Sequence, residues 1–346
     1  MNKKLIALAV AGFAASASVS AAEIYSDNNS AISLQGRMEA RGEAHDGDVN
    51  DISRARLGVM GQSQLTEGLY GVGYAEFELS NNNVSDKASD QENNLKTRYA
   101  YAGIGGNYGE VGYGRADGSM GMITDFTDIM STYGAVASNK LTVADRVDNN
   151  MYYKGTFGGL TVKANYSFDN NATENSKGVK GLPEADNAGY SLGAVYNTEM
   201  GLGFGLGWAQ SQADQHKDNN QMMAAVNYTI GDLYFAGLYT NGNRNPAAVD
   251  DTNDKIKDLG RHNYQGYELA AAYNLNQWVF TTTYGKGSFD SMDTSEAVGV
   301  DATYFFNNKF RAYAGYNFNL MSKSDYAANQ ASKAEDSAMV GLRYDF

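Results

Sequence analysis

The 346-residue sequence predicts an all-β fold, a sixteen-stranded antiparallel transmembrane β-barrel with an inward-folded third loop. Apolar and polar residues alternate in segments of about ten residues, the length and period of a tilted strand that crosses a bilayer. The connections between these segments alternate between short turns and longer polar stretches. No apolar run after the N-terminal segment is long enough for a transmembrane helix, so we expect strands to span the membrane.

The N-terminal residues 1–21 predict a cleaved signal peptide. Two lysines precede an apolar segment, and a run of small residues supplies an A-x-A-like cleavage site. Residues 22–346 then form the barrel domain. Removing the two leader lysines leaves 25 basic and 40 acidic residues, a net charge of −15, which disfavours nucleic acid as a partner. The absence of cysteine excludes a disulfide framework and thiolate metal sites.

Each predicted strand has one apolar face. In the closing segment 337–346, Val340, Leu342 and Tyr344 lie on one side, while Arg343 and Asp345 lie on the other. We expect this strand to pair with residues 32–40 and so close the cylinder, which removes the last free edges. The same alternation recurs at 54–61, 160–168, 190–196, 202–208, 222–230, 298–306 and 310–320.

The alternating loop lengths place the short turns on the periplasmic side and the long loops outside. An even strand count returns both termini to the periplasmic side. A secreted soluble β-protein is the alternative, but a soluble sandwich has no reason to segregate its loops in this way. The predicted short turns are 65–68, 106–109, 158–159, 198–201, 231–232, 274–277 and 307–308. The first three of the longer connections are 43–51, 81–94 and 116–145.

Strand alternation also predicts a basic group inside the barrel. Around Arg98 it places Lys96, Ala100 and Ala102 on the inward face and the neighbouring tyrosines 99 and 101 on the outward face. The alternative is that the arginines form structural ion pairs with Glu39, Glu76 and Glu78. The arginines on the inward parity are Arg37, Arg54, Arg56, Arg98 and Arg146.

The 116–145 connection is long but rich in apolar residues, among them Met120, Ile123 and Phe126. A water-exposed loop does not need that content, so we expect the connection to fold inward against the barrel wall. Inward folding brings Asp125 and Asp128 opposite the arginines, and opposed charges create a field across the channel. Packing at a subunit interface is the alternative for this segment.

Six motifs are spread along the whole chain after the leader: Ala22–Tyr25, Ser53–Gly58, Thr97–Gly106, Tyr113–Arg115, Thr124–Met130 and Gly341–Phe346. Together they resemble the gammaproteobacterial general porins, with the OmpU-like branch as the nearest resemblance. The resemblance implies a trimeric sixteen-stranded barrel whose third loop forms the constriction.

The resemblance also implies roles for single residues. It assigns the constriction's basic cluster to Arg37, Arg56, Arg98 and Arg146. One loop acid falls on Asp128 and the second falls on Thr132, so we expect Asp125, one helical turn before Asp128, to compensate. The terminal Phe346, with Tyr344, matches the family's signal for the outer-membrane assembly machinery, and cleavage is implied after Ala21.

Enzyme motifs are weak in this chain. The G-x-S-x-G pattern around Ser191 lies inside an alternating strand and not on a strand-turn-helix elbow. The histidines His45, His216 and His262 fall in or beside outer loops. The acidic stretch 250–254 has no metal-ligand spacing, and the glycine-rich stretch 201–207 fits strand bends or close subunit approach better than a phosphate loop. We expect no catalytic site, metal or cofactor.

We therefore expect a passive, water-filled channel in the outer membrane of a Gram-negative bacterium. It would admit ions and small hydrophilic solutes with a modest cation preference, because the net charge favours cations while the arginine cluster opposes them. Expected partners are further copies of the chain in a homotrimer, outer-membrane lipid and lipopolysaccharide, and the barrel assembly machinery. A substrate-specific porin and an adhesin or structural outer-membrane protein remain alternatives, with a barrel enzyme disfavoured.

Overall fold

The computed structural model describes residues 22–80, 95–168, 188–211, 218–244, 262–290, 292–325 and 334–346. These residues form a closed 16-strand antiparallel barrel, as the sequence predicts. The predicted signal peptide, His216 and the acidic stretch 250–254 lie outside the described residues. No helix in the described part of the chain is long and apolar enough to cross a membrane.

The barrel is built from strand segments that follow one another in chain order, and every pairing between neighbouring strands is antiparallel. Two short segments, β1 and β3, are parts of longer barrel strands, as described below. The segments are β1 (Ala22–Ser26), β2 (Ser30–His45), β3 (Asp48–Asp51), β4 (Arg54–Thr66), β5 (Leu69–Ser80), β6 (Leu95–Gly106), β7 (Gly109–Asp117), β8 (Arg146–Phe157), β9 (Leu160–Ser167), β10 (Gly189–Asn197), β11 (Leu202–Ser211), β12 (Asn219–Ile230), β13 (Leu233–Arg244), β14 (His262–Leu275), β15 (Trp278–Phe289), β16 (Met292–Phe305), β17 (Phe310–Asn319) and β18 (Ser337–Asp345).

The outer surface of the barrel is apolar. Leu192, Leu206 and Leu269 are 52%, 64% and 58% exposed, whereas the inward-facing Ser191 and Glu268 beside them are almost fully buried. Side chains alternate between the two faces of a strand, so the sequence pattern becomes an apolar outside and a polar inside. This distribution matches a barrel with lipid around its outer surface and water in its interior.

The barrel closes between its last and first long strands. Asp345 of β18 lies opposite Arg37 of β2, and the backbone of Phe346 exchanges hydrogen bonds of 2.9 and 3.0 Å with Gly36. The predicted pairing of the two strands is confirmed, but it covers residues 37–45 of β2 and not 32–40. β1 pairs with β2 between Ala31 and Leu34. It therefore lies on the same edge of β2 as β18, which pairs with the residues from Arg37 onward.

The first outer connection is a tight hairpin and not the long loop predicted for 43–51. β2 continues to His45, turns through Asp46 and Gly47, and returns as β3. Both turn residues have positive φ, 52° and 85°, which is the requirement of a two-residue type I′ turn. The Asp-Gly pair therefore extends the sheet, while the short turns predicted at the opposite end are all confirmed.

A β-bulge in β6 changes the direction of its side chains. Glu76 of β5 lies opposite Tyr99, but the next residue, Phe77, lies opposite Thr97, so Arg98 is an extra residue on β6. A bulge of this kind leaves one residue unpaired and breaks the strict alternation of faces. Arg98 and Tyr99 both face the lumen as a result.

The bulge makes part of the sequence-based assignment wrong. Tyr99 and Tyr101 face inward, where their ring centroids each lie 5.6 Å from that of Tyr74. Ala100 and Ala102 are exposed on the outer surface. Tyrosine rings, rather than small residues, thus pack beside Arg98 inside the barrel.

Candidate functional site

The segment between β7 and β8, residues 118–145, lies inside the barrel and is called the inward loop below. It contains one short helix, α1 (Gly121–Thr124), and a 3-10 turn at Thr142–Ala144. Its Ser119 hydroxyl lies 2.8 Å from Ser191 of β10, and Tyr234 of β13 donates a 2.7 Å hydrogen bond to the Phe126 carbonyl. The predicted inward folding is therefore confirmed by direct contacts with the inner wall.

The apolar residues of the inward loop form a core between the loop and the wall. Met120 and Ile123 are fully buried, and Phe126 is nearly so. They pack with Met223 and Leu238 on the inner faces of β12 and β13. Burial of each such side chain stabilises by about 1.5–3 kcal/mol relative to exposure, so this core holds the loop against one side of the barrel.

Two wall carboxylates bind the loop's backbone. Glu268 of β14 accepts hydrogen bonds from the Thr127 hydroxyl at 2.5 Å and from the amides of Ala137 and Ser138 at 2.8 and 3.0 Å. It therefore joins the outgoing and the returning limbs of the loop. The second carboxylate, Asp301 of β16, accepts from the amide of Ser131 at 2.7 Å.

The position of Asp301 explains why a threonine stands where the family's second loop acid is expected. The Thr132 amide and hydroxyl each lie 3.2 Å from an Asp301 oxygen. A carboxylate at 132 would meet the Asp301 carboxylate at this distance, and like charges that close repel. Thr132 is thus part of the attachment of the loop tip to the wall.

Ser191 also attaches the loop. Its oxygen accepts hydrogen bonds from the Ser119 amide and hydroxyl, and its own hydroxyl donates to Asn165. Asn165 in turn donates to the Val143 carbonyl at 2.9 Å, so the same buried polar group holds both ends of the loop. The formal G-x-S-x-G pattern around Ser191 therefore has a structural explanation in this barrel.

The glycine-rich stretch of β11 faces the loop as well. An added Cβ at Gly207 would lie 2.5 Å from the Ile123 Cδ1 atom, and one at Gly205 would lie 3.3 Å from Ile123 Cγ2. Strand bends or subunit contacts, the explanations favoured by the sequence, are wrong for these two positions. The close neighbour of both is the inward loop.

The arginines predicted on β2, β4 and β6 lie on one wall in a charge ladder. Arg37 is opposite Arg56, which is opposite Glu78 on the next strand. Like charges directly opposite each other in a sheet are destabilising, so neighbouring carboxylates are needed to hold this arrangement. These arginines, Arg37, Arg54, Arg56 and Arg98, are called the basic wall below.

Glutamates neutralise most of the basic wall. Arg54 lies 2.5 Å from Glu39, Arg56 is ion-paired with Glu78, and Arg98 lies 2.6 Å from Glu76 and 3.5 Å from Glu78. Arg37 is farther from its nearest carboxylate, with 3.8 Å between its Nε and Glu39. The ion-pair alternative left open by the sequence therefore describes Arg54, Arg56 and Arg98.

Arg146 forms a separate group at the end of the loop. Its Nε lies 3.6 Å from Asp117, and its guanidinium lies 4.7 Å from the ring centroid of Tyr99. The Tyr99 hydroxyl donates to the same Asp117 carboxylate at 2.9 Å. Asp117 is the last residue of β7 and binds Arg146 beside the basic wall.

The remaining loop acids, Asp125 and Asp128, lie one helical turn apart. The Asp125 amide donates to the Gly121 carbonyl and the Asp128 amide to the Thr124 carbonyl. Both side chains are exposed to the lumen and form no ion pair within the described residues. Enclosure by the barrel wall, and then the charge of Asp128, raise the pKa of Asp125 to about 6.

The family model for Gram-negative porins matches residues 5–325 of the chain. The chain belongs to this family. Over the full length of both proteins, this porin is 44% identical to Outer membrane protein U of Vibrio parahaemolyticus. Its barrel is accordingly a water-filled channel through the outer membrane of a Gram-negative bacterium.

Solved structures support the fold of this porin independently of its sequence. OmpF of Salmonella typhi, solved in complex with daunomycin, superposes with a TM-score of 0.76 at 20% identity and covers 94% of this chain and 100% of its own. The in-vitro folded OmpT of Vibrio cholerae in its trimer form superposes with a TM-score of 0.66 at 17% identity, covering 92% and 100%.

Sequence reasoning missed two lysines of this porin's lumen. Lys140, on the returning limb of the loop, lies 3.4 Å from Asp145 and 3.5 Å from the Thr124 hydroxyl. Lys163 lies on the inner face of β9, 5.8 Å from the Tyr152 ring. Alternation along β9 would have identified Lys163, which stands between outward-facing Val162 and Ala164, whereas Lys140 follows no strand pattern.

Proposed function

We propose that this porin is a homotrimeric general diffusion channel with a modest preference for cations. Its constriction lies between the inward loop and the arginine-bearing strands. We assign the constriction to Arg37, Arg54, Arg56, Arg98, Arg146, Asp125 and Asp128, with residues 116–145 as the constriction loop.

The observation that supports cation preference is the unequal pairing of charges in the lumen. Arg54, Arg56 and Arg98 have carboxylate partners within 2.6 Å, so much of the positive field of this wall is cancelled. The loop acids Asp125 and Asp128 are in no ion pair among the described residues and face the water. Carboxylates that are in no ion pair and face a narrow channel raise the local concentration of cations there.

The trimer is supported by the trimer form of OmpT, which shares the fold. Cross-linking of the purified porin in detergent tests it, with a three-chain band as the expected product. The proposal includes no catalysed reaction, and it assigns Ser191 to the attachment of the inward loop through Ser119 and Asn165. Signal-peptide removal after Ala21 belongs to the same proposal, and N-terminal sequencing of the membrane form checks it.

Reversal potential measured across a planar bilayer under a potassium chloride gradient tests the selectivity. We expect a potential of the sign that cation flow produces, smaller than that of an ideally cation-selective pore. A clear anion preference would contradict the proposal. Added sugars and amino acids should leave the conductance free of solute-specific block, since such block would instead indicate a substrate-specific porin.

A further inference from the structure

Several inward-facing glycines of the barrel wall lie directly beneath the inward loop. They follow the loop from Ser119 to Ala137, with Gly193, Gly205 and Gly207 under the outgoing limb. Gly299 and Gly315 lie under the tip, and Gly285 and Gly266 lie under the returning limb. We call this set the loop seat: Gly193, Gly205, Gly207, Gly266, Gly285, Gly299 and Gly315.

The backbone conformation does not require glycine at these positions. The glycines with positive φ in this porin, such as Gly68, Gly109 and Gly201, lie at turns or bulges. None of the loop seat belongs to that group. Alanine is compatible with the ordinary extended backbone of a strand, and glycine there even weakens the strand. Another requirement must therefore account for glycine at the loop seat.

Space is that requirement, because the loop lies closer to the wall than a side chain allows. A Cβ added to Gly266 would lie 2.3 Å from the Ala137 carbonyl oxygen, and one added to Gly285 would lie 2.7 Å from Val136 Cβ. At the tip, a Cβ on Gly315 would lie 2.3 Å from the Thr132 hydroxyl. These separations are far inside van der Waals contact. At Gly266 and Gly285 the atoms met are a backbone oxygen and a Cβ, so there the loop or the wall itself must move.

The loop is the part that can move. Every loop-seat strand is hydrogen-bonded to a neighbour on both sides, as β14 is to β13 and β15. The loop is held by side-chain contacts and by hydrogen bonds with side chains of the wall, both acceptors such as Glu268 and donors such as Tyr264, and not by a strand ladder. An added methyl group therefore displaces the loop toward the channel axis.

We propose that the loop seat sets the cross-section of the pore, acting as a group of positioning residues that touch no permeating solute. The depth to which the loop sinks into the wall determines how far its lumen-facing surface, with Asp125 and Asp128, stands from the basic wall. This inference rests on the proposed function, because it takes the inward loop to form the constriction.

A double-mutant cycle at Gly207 tests the proposal at atomic scale. The Gly207→Ala methyl would meet the Cδ1 atom of Ile123 at 2.5 Å, whereas its other near neighbours lie at 3.4 Å or more. Ile123 is fully buried among the packed residues of the loop and wall, so moving its terminal methyl group away disturbs that packing. Ile123→Val removes the Cδ1 atom that makes the clash and leaves the loop backbone unchanged.

Single-channel conductance and reversal potential are measured for each variant in planar bilayers. We expect Gly207→Ala to lower the conductance and shift the reversal potential, and Gly207→Ala with Ile123→Val to restore both toward wild type. Gly285→Ala, which meets the stiff Val136 side chain, should lower conductance as well. Gly237→Ala is the matched control, because its added Cβ has only an ordinary 3.5 Å contact with outward-facing Leu269.

Wild-type conductance and selectivity from folded Gly207→Ala and Gly285→Ala channels would overturn the inference. So would a loss of conductance in Gly207→Ala that Ile123→Val does not reverse. Folding is checked by the heat-induced shift in gel mobility, and Gly299→Ala, opposite the flexible Met130 sulfur, provides a milder variant. The reversal potential of the wild type tests the proposed cation preference separately. The loop-seat proposal concerns the differences between variants and wild type, which are expected whichever ion the pore prefers.

Discussion

At the scale of single residues, Glu78 links two arginines of the basic wall, because it is ion-paired with both Arg56 and Arg98. Glu78→Gln removes one negative charge and frees positive charge on both arginines, so we expect the reversal potential to shift toward anions. Arg98→Ala should shift it the other way, further toward cations. Both shifts are measured under the same salt gradient as the wild type.

Glu110→Gln is the matched control for this change. Glu110 also lies on the inner wall, but its oxygens accept hydrogen bonds from Tyr70 and Tyr152, and it is in no ion pair within the described part of the chain. Glu110→Gln removes the same negative charge as Glu78→Gln, but it breaks no ion pair with an arginine. Equal shifts for Glu78→Gln and Glu110→Gln would show that only total lumen charge matters, and that pairing with the basic wall does not.

Asp125 makes the selectivity dependent on pH. Its pKa is raised to about 6, so the carboxyl is charged at pH 7 and becomes neutral as the pH falls through that value. We expect the cation preference to decrease between pH 7 and pH 5, as followed by reversal potential. Asp125→Asn should show the lower preference already at pH 7 and little change over that range. An unchanged pH profile in Asp125→Asn would assign the titration to another group.

At the scale of structural elements, periodicity predicted the strands and composition predicted the short turns. The inward loop was also predictable, because Met120, Ile123 and Phe126 are costly to leave in water. Each of these features depends on residue type within a short window. The preference of these short segments for a strand, a turn or a buried position is strong enough to be kept in the folded protein.

Elements that depend on register were not predictable in the same way. The bulge at Arg98 adds one residue to β6 without any unusual residue type, so counting alternate positions assigned Tyr99 and Tyr101 to the wrong face. The offset of β18 along β2 depends on β1, which occupies part of the same edge. The loop seat is equally hidden in the sequence, because strand glycines look alike until the loop packs on some of them.

At the scale of the whole molecule, the last residue of the chain completes the barrel. The backbone of Phe346 is hydrogen-bonded to Gly36, and its ring stacks beside Tyr344 with centroids 6.2 Å apart. We expect deletion of Phe346 to reduce the amount of folded porin in the outer membrane. The loss combines a missing closure contact with the missing assembly signal that Tyr344 and Phe346 are proposed to form.

Refolding in detergent separates these two contributions. If Phe346 acts mainly as an assembly signal, the chain lacking Phe346 should refold in vitro nearly as well as wild type while it fails to accumulate in cells. Phe306→Ala removes another aromatic ring from the outer surface, next to the turn between β16 and β17, and serves as the control. Normal accumulation of the chain without Phe346 would contradict the assigned role.

The alternation of faces along every strand has a consequence for how this porin can change. The side chains that meet lipid and the side chains that hold the inward loop occupy alternate positions, as Leu192 and Gly193 do on β10. Residues that are neighbours in the sequence are therefore in contact with different environments. Adaptation to another membrane and adaptation to another mixture of solutes can proceed side by side in one strand, each through substitutions that the other face does not contact.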